Sequence, residues 1–261
     1  MAANLFSPPQ LSTRFFHVWR RNALVWRKLA IPSLLGNLAD PMLYMLGFGY
    51  GLGRLLPDTF GTSYIAFLAA GTVASSAMMS ASFEAMYSGF SRMHVQRTWD
   101  AILNAPVTLD DVVIGEVMWA ATKSFMASSA VLVVATALGL VKSWLALWAL
   151  PVVFLTGLAF ASMGLVMTAL SPSYDFFMYY FTLFITPMML LCGVFFPNDQ
   201  LPHALQQAAV VLPLSHAVQI VRPLMNDAPP AALVAHLSAL VLYAIIPFHA
   251  ALALTRRRLL Q

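Results

Sequence analysis

Between Leu145 and Leu170 the chain reads LALWALPVVFLTGLAFASMGLVMTAL, without one charged side chain. Wound as an α-helix, this stretch reaches about 39 Å at 1.5 Å per residue, more than the ~30 Å hydrocarbon thickness of a bilayer. A helix apolar on every side belongs in a large core or in lipid. Five comparable stretches surround it: Ile31–Gly53, Ser63–Ser88, Val113–Leu138, Phe176–Phe196 and Ala231–Leu254. Of the 261 residues, 60% are hydrophobic and only 9% charged, against roughly 25% charged in a soluble domain. A soluble globule of this size keeps too much polar surface to bury so much apolar side chain. The expected fold is therefore an all-α integral membrane protein with six transmembrane helices, since unpaired backbone groups have no partner in lipid.

Lys and Arg set the expected orientation. With the N-terminus inside, Arg14, Arg20, Arg21, Arg27, Lys28, Arg92, Arg97, Arg256, Arg257 and Arg258 are cytoplasmic, ten against the three external residues Arg54, Lys142 and Arg222. That bias places both termini in the cytoplasm. It also explains the net charge of +4 through topology and leaves no role for nucleic acid. The single cysteine, Cys192, excludes a disulfide scaffold, and no cleavable signal peptide is evident.

Residues 11–29 read as an amphipathic interfacial helix, with Leu11, Phe15, Trp19, Trp26 and Leu29 on one side and His17, Arg20, Arg21, Arg27 and Lys28 on the other. Residues 197–230 are too apolar for a free external loop, and prolines 197, 202, 213 and 223 cut them into pieces too short to span. Short re-entrant external helices before the last span are expected there. Residues 1–261 form one transmembrane unit, without internal repeat or soluble second domain.

Catalytic motifs are missing. There is no phosphate-binding G-x-x-x-x-G-K-[ST] loop and no H-E-x-x-H, and one cysteine makes no thiolate cluster. His216 reads as structural, and His236 and His249 do not share a helical face. The cytoplasmic segment 89–111 carries more information. A short helix with Trp99, Ile102 and Leu103 at i, i+3 and i+4 ends before Pro106, and Thr108 with Asp111 reads as a capping box opening the third span. Trp99, Ile102 and Leu103, framed by Arg92, Arg97 and Asp100, are expected to form an exposed apolar patch, the mark of a partner site.

The run Arg97-Thr-Trp-Asp-Ala-Ile-Leu-Asn-Ala-Pro106 resembles the coupling-helix region of ABC-2 type permeases. Ala39-Asp-Pro41-Met-Leu-Tyr44 leading into Gly47-Phe-Gly-Tyr-Gly-Leu-Gly53 is similar to their first span in the NodJ-like branch. Leu191-Cys-Gly-Val-Phe-Phe-Pro197, Leu212-Pro-Leu-Ser-His216 and Val221-Arg-Pro-Leu224 resemble that branch's ending. The resemblance runs over nearly the whole chain. It implies a permease subunit of the bacterial inner membrane that pairs with a second copy and docks on two separate ATPase subunits. ATP and Mg²⁺ would bind those subunits, with no cofactor in this chain, and the cargo would be a lipo-oligosaccharide, glycolipid or polysaccharide. Arg97, Trp99, Asp100, Ile102, Leu103 and Pro106 are then the expected coupling residues. A drug exporter of the same architecture is the nearest alternative. A secondary transporter lacks its inverted repeats and midplane acids here, and an intramembrane enzyme lacks a convergent polar set.

Within the spans, Gly47/Gly51 and Gly49/Gly53 form overlapping G-x-x-x-G pairs, which suit packing within one chain or a homodimer seam. Phe177, Phe181, Phe184 and Met188 share a face of the fifth span. They face lipid or, joined by Tyr44, Tyr50, Tyr179 and Tyr180, line a pathway for an amphipathic cargo. Asp40 is expected to cap a helix starting at Pro41, and Glu84 to pair with an arginine of the N-terminal helix.

Overall fold

A computed structural model describes residues 8–10, 12–53 and 63–260; Leu11 of the interfacial reading and Arg54 of the external loops lie outside them. Every regular element among the described residues is helical. In chain order these are α1 (Phe15–Arg27), α2 (Ala30–Gly51), α3 (Tyr64–Val95), α4 (Thr98–Leu103), α5 (Leu109–Ala137), α6 (Trp144–Leu170), α7 (Phe176–Leu191), α8 (His203–Val211), α9 (Pro213–Met225) and α10 (Leu233–Leu260). Four of them, α3, α5, α6 and α10, are long and apolar enough to cross a bilayer, and the number reaches six if the bent pairs α1–α2 and α8–α9 each count.

The bend between α1 and α2 is 85°. Leu29 leaves the helical region there, and Pro32 sits in the first turn of α2, where its missing N–H costs nothing. α1 buries Val18 and Asn22 against α5 and leaves Phe16, Leu24 and Val25 about half exposed, as suits a helix lying at an apolar boundary. The α8–α9 bend is 89°. Leu212 is extended because Pro213 follows it, so two short helices form in 197–230, where short helices were expected, preceded by a single turn at Asn198–Gln200.

α3 is the central post. Its span is almost wholly buried, and Gly71, Ala74, Ser75, Ser76 and Ser82 let α5, α6 and α9 close around it. A Cβ on Gly71 would lie 2.6 Å from the Val194 carbonyl oxygen, so this approach of two backbones requires glycine. α10 packs along α6 and leaves Val234, Leu242, Ile245 and Ile246 exposed, a surface suited to lipid.

Several expectations change. The fifth stretch is helical only over Phe176–Leu191, about 24 Å at 1.5 Å per residue, because Gly193 turns the chain at φ 74°. α3 runs on to Val95 through two π turns, Glu84–Ser88 and Ser91–Val95, so the loop after it is shorter than residues 89–111. Asp40 caps nothing: α2 starts after Leu29 and passes through Pro41 into a π stretch at Leu43–Phe48, an irregularity next to a proline that removes one backbone donor from the helix. His236 meets His216, with Nδ1 atoms 2.9 Å apart, while His249 lies against the Ile245 carbonyl. The Thr108–Asp111 capping box forms as expected.

Candidate functional site

Two regions of the bundle concentrate polar and aromatic side chains. The first lies where α1, α3, α4 and α5 meet. Glu84 and Glu116, 3% and 2% exposed, are each surrounded by donors. Glu84 accepts from Arg92 Nη1 at 2.9 Å, Trp119 Nε1 at 2.9 Å, Ser88 Oγ at 2.9 Å and Lys123 Nζ at 2.8 Å. Glu116 accepts from Arg92 Nε at 3.0 Å, Asn22 Nδ2 at 3.2 Å and Trp99 Nε1 at 3.3 Å. The expected partner of Glu84, an arginine of the N-terminal helix, is corrected to Arg92 and Lys123. The cause is local: α3 runs on past Ser88 to Val95, so Glu84, Ser88 and Arg92, at i, i+4 and i+8, lie on one face of it. Arg92 thus bridges two carboxylates, the condition under which buried charges are tolerated.

Trp99 is the tie between this cluster and α4. It is 1% exposed, and the apolar patch expected at the surface is therefore corrected. Trp99 points inward, Ile102 and Leu103 are half-buried against the core, and the exposed residues are Arg97, Asp100 and Pro106. Arg97 sits at φ 48°, a left-handed turn that reverses the chain from α3 into α4. The Pro106 carbonyl accepts from Arg14 Nη1 at 2.6 Å. Beside it, Ser12 Oγ donates to Asp111 at 2.6 Å and the Gln10 amide to Asp110 at 2.9 Å. Arg256 holds Asp110 through Nε at 3.0 Å and Nη2 at 2.6 Å. Gln10, Ser12, Arg14 and Arg256 and the loop around α4 are therefore fastened together at one end of the bundle. Sequence reading missed Glu116 and Arg256; the available signal was that each is a charge at the end of an apolar run, where an unpaired charge would be costly.

The second region is a groove between α2 and α7, floored by α3. A cavity of about 520 Å³ is lined by Tyr44, Phe48, Tyr64, Phe181, Met189 and Phe195, among others, and it adjoins one of about 220 Å³ lined by Asp40, Tyr44, Ser75, Ser76, Met79 and Phe83. Of the expected pathway residues, Tyr44 and Phe181 come together here. Phe177 and Tyr180 are core, 0% and 3% exposed, with the Phe177 ring 5.2 Å from that of Tyr87. Phe184 is 50% exposed and stacks on Tyr180 at 5.6 Å instead of entering the groove. A π turn at Phe181–Ile185 breaks the 3.6-residue register from which one aromatic face was expected. The glycines divide too. A Cβ on Gly49 would lie 2.7 Å from Ile65 Cγ1, and Gly53, in the turn after α2, is tight against the Gly49 carbonyl, whereas Gly47 and Gly51 face open space.

Comparison with known proteins identifies the family. The sequence profile of the ABC-2 type transporter matches residues 13–226. The chain is similar to Nodulation protein J of Rhizobium meliloti (strain 1021), 51% identical over 243 residues and 93% of each chain, and to that of Rhizobium leguminosarum bv. viciae, 52% identical over 245 residues and 94% of each. It also resembles the inner membrane transport permease YadH of Escherichia coli (strain K12), 25% identical over 204 residues, 77% of this chain and 78% of the relative. A multi-pass helical membrane protein with this similarity along its length belongs to the ABC-2 type transporter family.

Proposed function

We propose that this chain is the six-span permease subunit of an ATP-driven exporter, paired with a second copy and moved by two separate ATPase subunits. Its cargo is an amphipathic glycan, a lipo-oligosaccharide or related glycolipid, exported across the inner membrane. The relation to the nodulation proteins supports that branch, and the positive-inside count supports cytoplasmic termini. The observation that carries the reading is the α4 region: a short helix with a polar exposed face, Arg97 and Asp100, whose Trp99 reaches into the ion-pair cluster spanning α1, α3 and α5. A push on α4 is thereby delivered to three membrane elements at once.

The groove between α2 and α7 is the pathway wall in this reading. Asp40 is exposed within an apolar helix, and a carboxylate at that depth requires water or a polar partner in front of it. Tyr44, Phe181 and Phe195 give the same wall aromatic surface on which an acyl chain or sugar ring slides without tight hydrogen bonds.

In inverted membrane vesicles containing the permease and its ATPase, a fluorescent lipo-oligosaccharide is expected to accumulate only with ATP, and the two proteins to copurify. Tyr44→Ala with Phe181→Ala should cut uptake roughly tenfold, while Phe184→Ala leaves it near wild type. ATP-independent uptake, or a purified permease without any ATPase, overturns the exporter reading. Topology is checked separately. In a Cys192→Ser background, cysteines replacing the exposed Lys142 and Asp199 should react with an impermeant thiol reagent added outside, and those replacing the exposed Arg97 and Arg257 should not. External labelling at Arg97 reverses the orientation.

A further inference from the structure

The 85° bend between α1 and α2 encloses a cavity of about 490 Å³, lined by Arg21, Trp26, Leu29, Glu84, Arg92 and Lys123, among others. With α2 running across the bilayer, α1 lies along its surface, and a space held in the angle between them is at the depth of lipid headgroups. Trp26 braces the bend by donating from Nε1 to Ser33 Oγ at 3.0 Å. Val25 and Leu29, 54% and 63% exposed, line the same cavity and give it an apolar lip. The charge inside is not balanced. Arg92 is answered by Glu84 and Glu116, and Lys123 by Glu84 at 2.8 Å. Arg21 is the third cation, and among the described residues no carboxylate stands within ion-pair distance of it. Its guanidinium makes one hydrogen bond, from Nη1 to Asn22 Oδ1 at 3.0 Å. Its Nε and Nη2 have no acceptor, and protein closes off neither of them, so both are within reach of an occupant. Three cations against two carboxylates leave the site with one uncancelled positive charge.

That excess charge selects the occupant. An acyl chain alone would take water from Arg21 and offer no acceptor in return. A cation would be repelled. Free phosphate, with about two negative charges, would overshoot the site and leave the apolar lip wet. A phosphodiester carries a single negative charge, presents oxygens to a guanidinium fork, and continues into acyl chains. Basic pockets between membrane helices hold anionic headgroups by this chemistry. We propose that the cavity binds the phosphodiester headgroup of an anionic phospholipid from the leaflet on the α4 side, with Arg21 as the residue that reads its charge. The bound lipid ties α1 to α3 and α5 beside the point where Trp99 joins α4 to Glu116. The site requires that the chain lie in a membrane and is independent of what it exports.

The test titrates the full-length permease, stripped of lipid in detergent, by native mass spectrometry. Dioleoyl phosphatidylglycerol is the probe. Phosphatidylcholine with the same chains is the comparison, because its ammonium cancels the phosphate charge. Wild type is expected to bind phosphatidylglycerol the more tightly, and this arm needs no variant to fold. Arg21→Gln should weaken phosphatidylglycerol binding roughly tenfold, the worth of one hydrogen bond to a charged group, and bring it level with phosphatidylcholine. Arg20→Gln removes the same charge from an exposed position outside the cavity and should bind like wild type. Inorganic phosphate at equal concentration should not displace the lipid. Equal affinity of wild type for the two lipids, or undiminished binding in Arg21→Gln, would overturn the proposal. An equal loss in Arg20→Gln would also overturn it, by reducing the effect to the general charge of α1. Displacement by phosphate would do so by making the cavity a free-anion site.

Discussion

Replacing Glu116 with Ala is expected to destabilise the protein by about 3–5 kcal/mol, the usual effect of removing one partner from a buried ion pair. The residue is 2% exposed and accepts hydrogen bonds from Arg92, Asn22 and Trp99. Its loss leaves those three donors facing the cavity at once, and the charge on Arg92 retains only Glu84. A double replacement, Glu116→Leu with Arg92→Met, is expected to be less harmful than Glu116→Ala alone. It removes both charges together, fills the space with apolar volume, and leaves Glu84 paired to Lys123 at 2.8 Å. Thermal unfolding of the purified permease in detergent measures both variants. If the double variant unfolds well below the single one, Arg92 stabilises the fold through contacts other than this carboxylate. Trp119 should keep its bond to Glu84 in each variant, so its indole provides a fluorescence signal local to the cluster.

The clarity of the sequence varied with the range of the forces involved. The membrane character of the chain and its helical class are set by long apolar runs, whose signal survives any detail of packing. The stretch Leu145–Leu170 is enough to establish them. The capping box at Thr108 and Asp111 was equally legible, because capping is a contact between residues three apart. The bend at Leu212 was legible in kind, since proline acts on its immediate neighbour. What failed in the fifth span was a 100° rotation carried through a π turn: Phe184 was grouped with Phe181, and the extra residue in the turn at Phe181–Ile185 parts them, which no local residue pattern announced. Arg92 was placed at the rim of a patch because the second span was expected to end at Ser88, whereas the helix runs on to Val95. Long-range pairs were illegible for a different reason. Asp110 with Arg256 and His216 with His236 are brought together by the packing of separate helices, and a single sequence holds no record of that packing.

Trp99→Ala should lower thermal stability by about 3–5 kcal/mol, as emptying a large aromatic site in a core does. It should also uncouple the transporter: ATP hydrolysis continues at its basal rate and transport falls by an order of magnitude or more. The two effects have one cause. Trp99 is 1% exposed and its indole nitrogen donates to Glu116, so it is the side chain by which α4 grips α5. Without it, a displaced α4 slides over the bundle instead of carrying Glu116, Arg92 and Asn22 with it. Surface residues of the same helix should behave in the opposite way. Arg97→Glu with Asp100→Lys reverses two exposed charges and is expected to leave unfolding within ~0.5 kcal/mol of wild type, while ATPase retention on the purified permease drops sharply. Trp99→Phe separates packing from hydrogen bonding. It keeps most of the volume and loses one bond to a carboxylate, worth about 1.5–3 kcal/mol, so coupling should survive in part. A docking role for Trp99 predicts a different pattern, in which Trp99→Ala weakens ATPase retention and leaves the unfolding temperature of the permease alone unchanged. Unfolding, retention and transport measured on these three variants therefore tell an internal anchor from a contact residue.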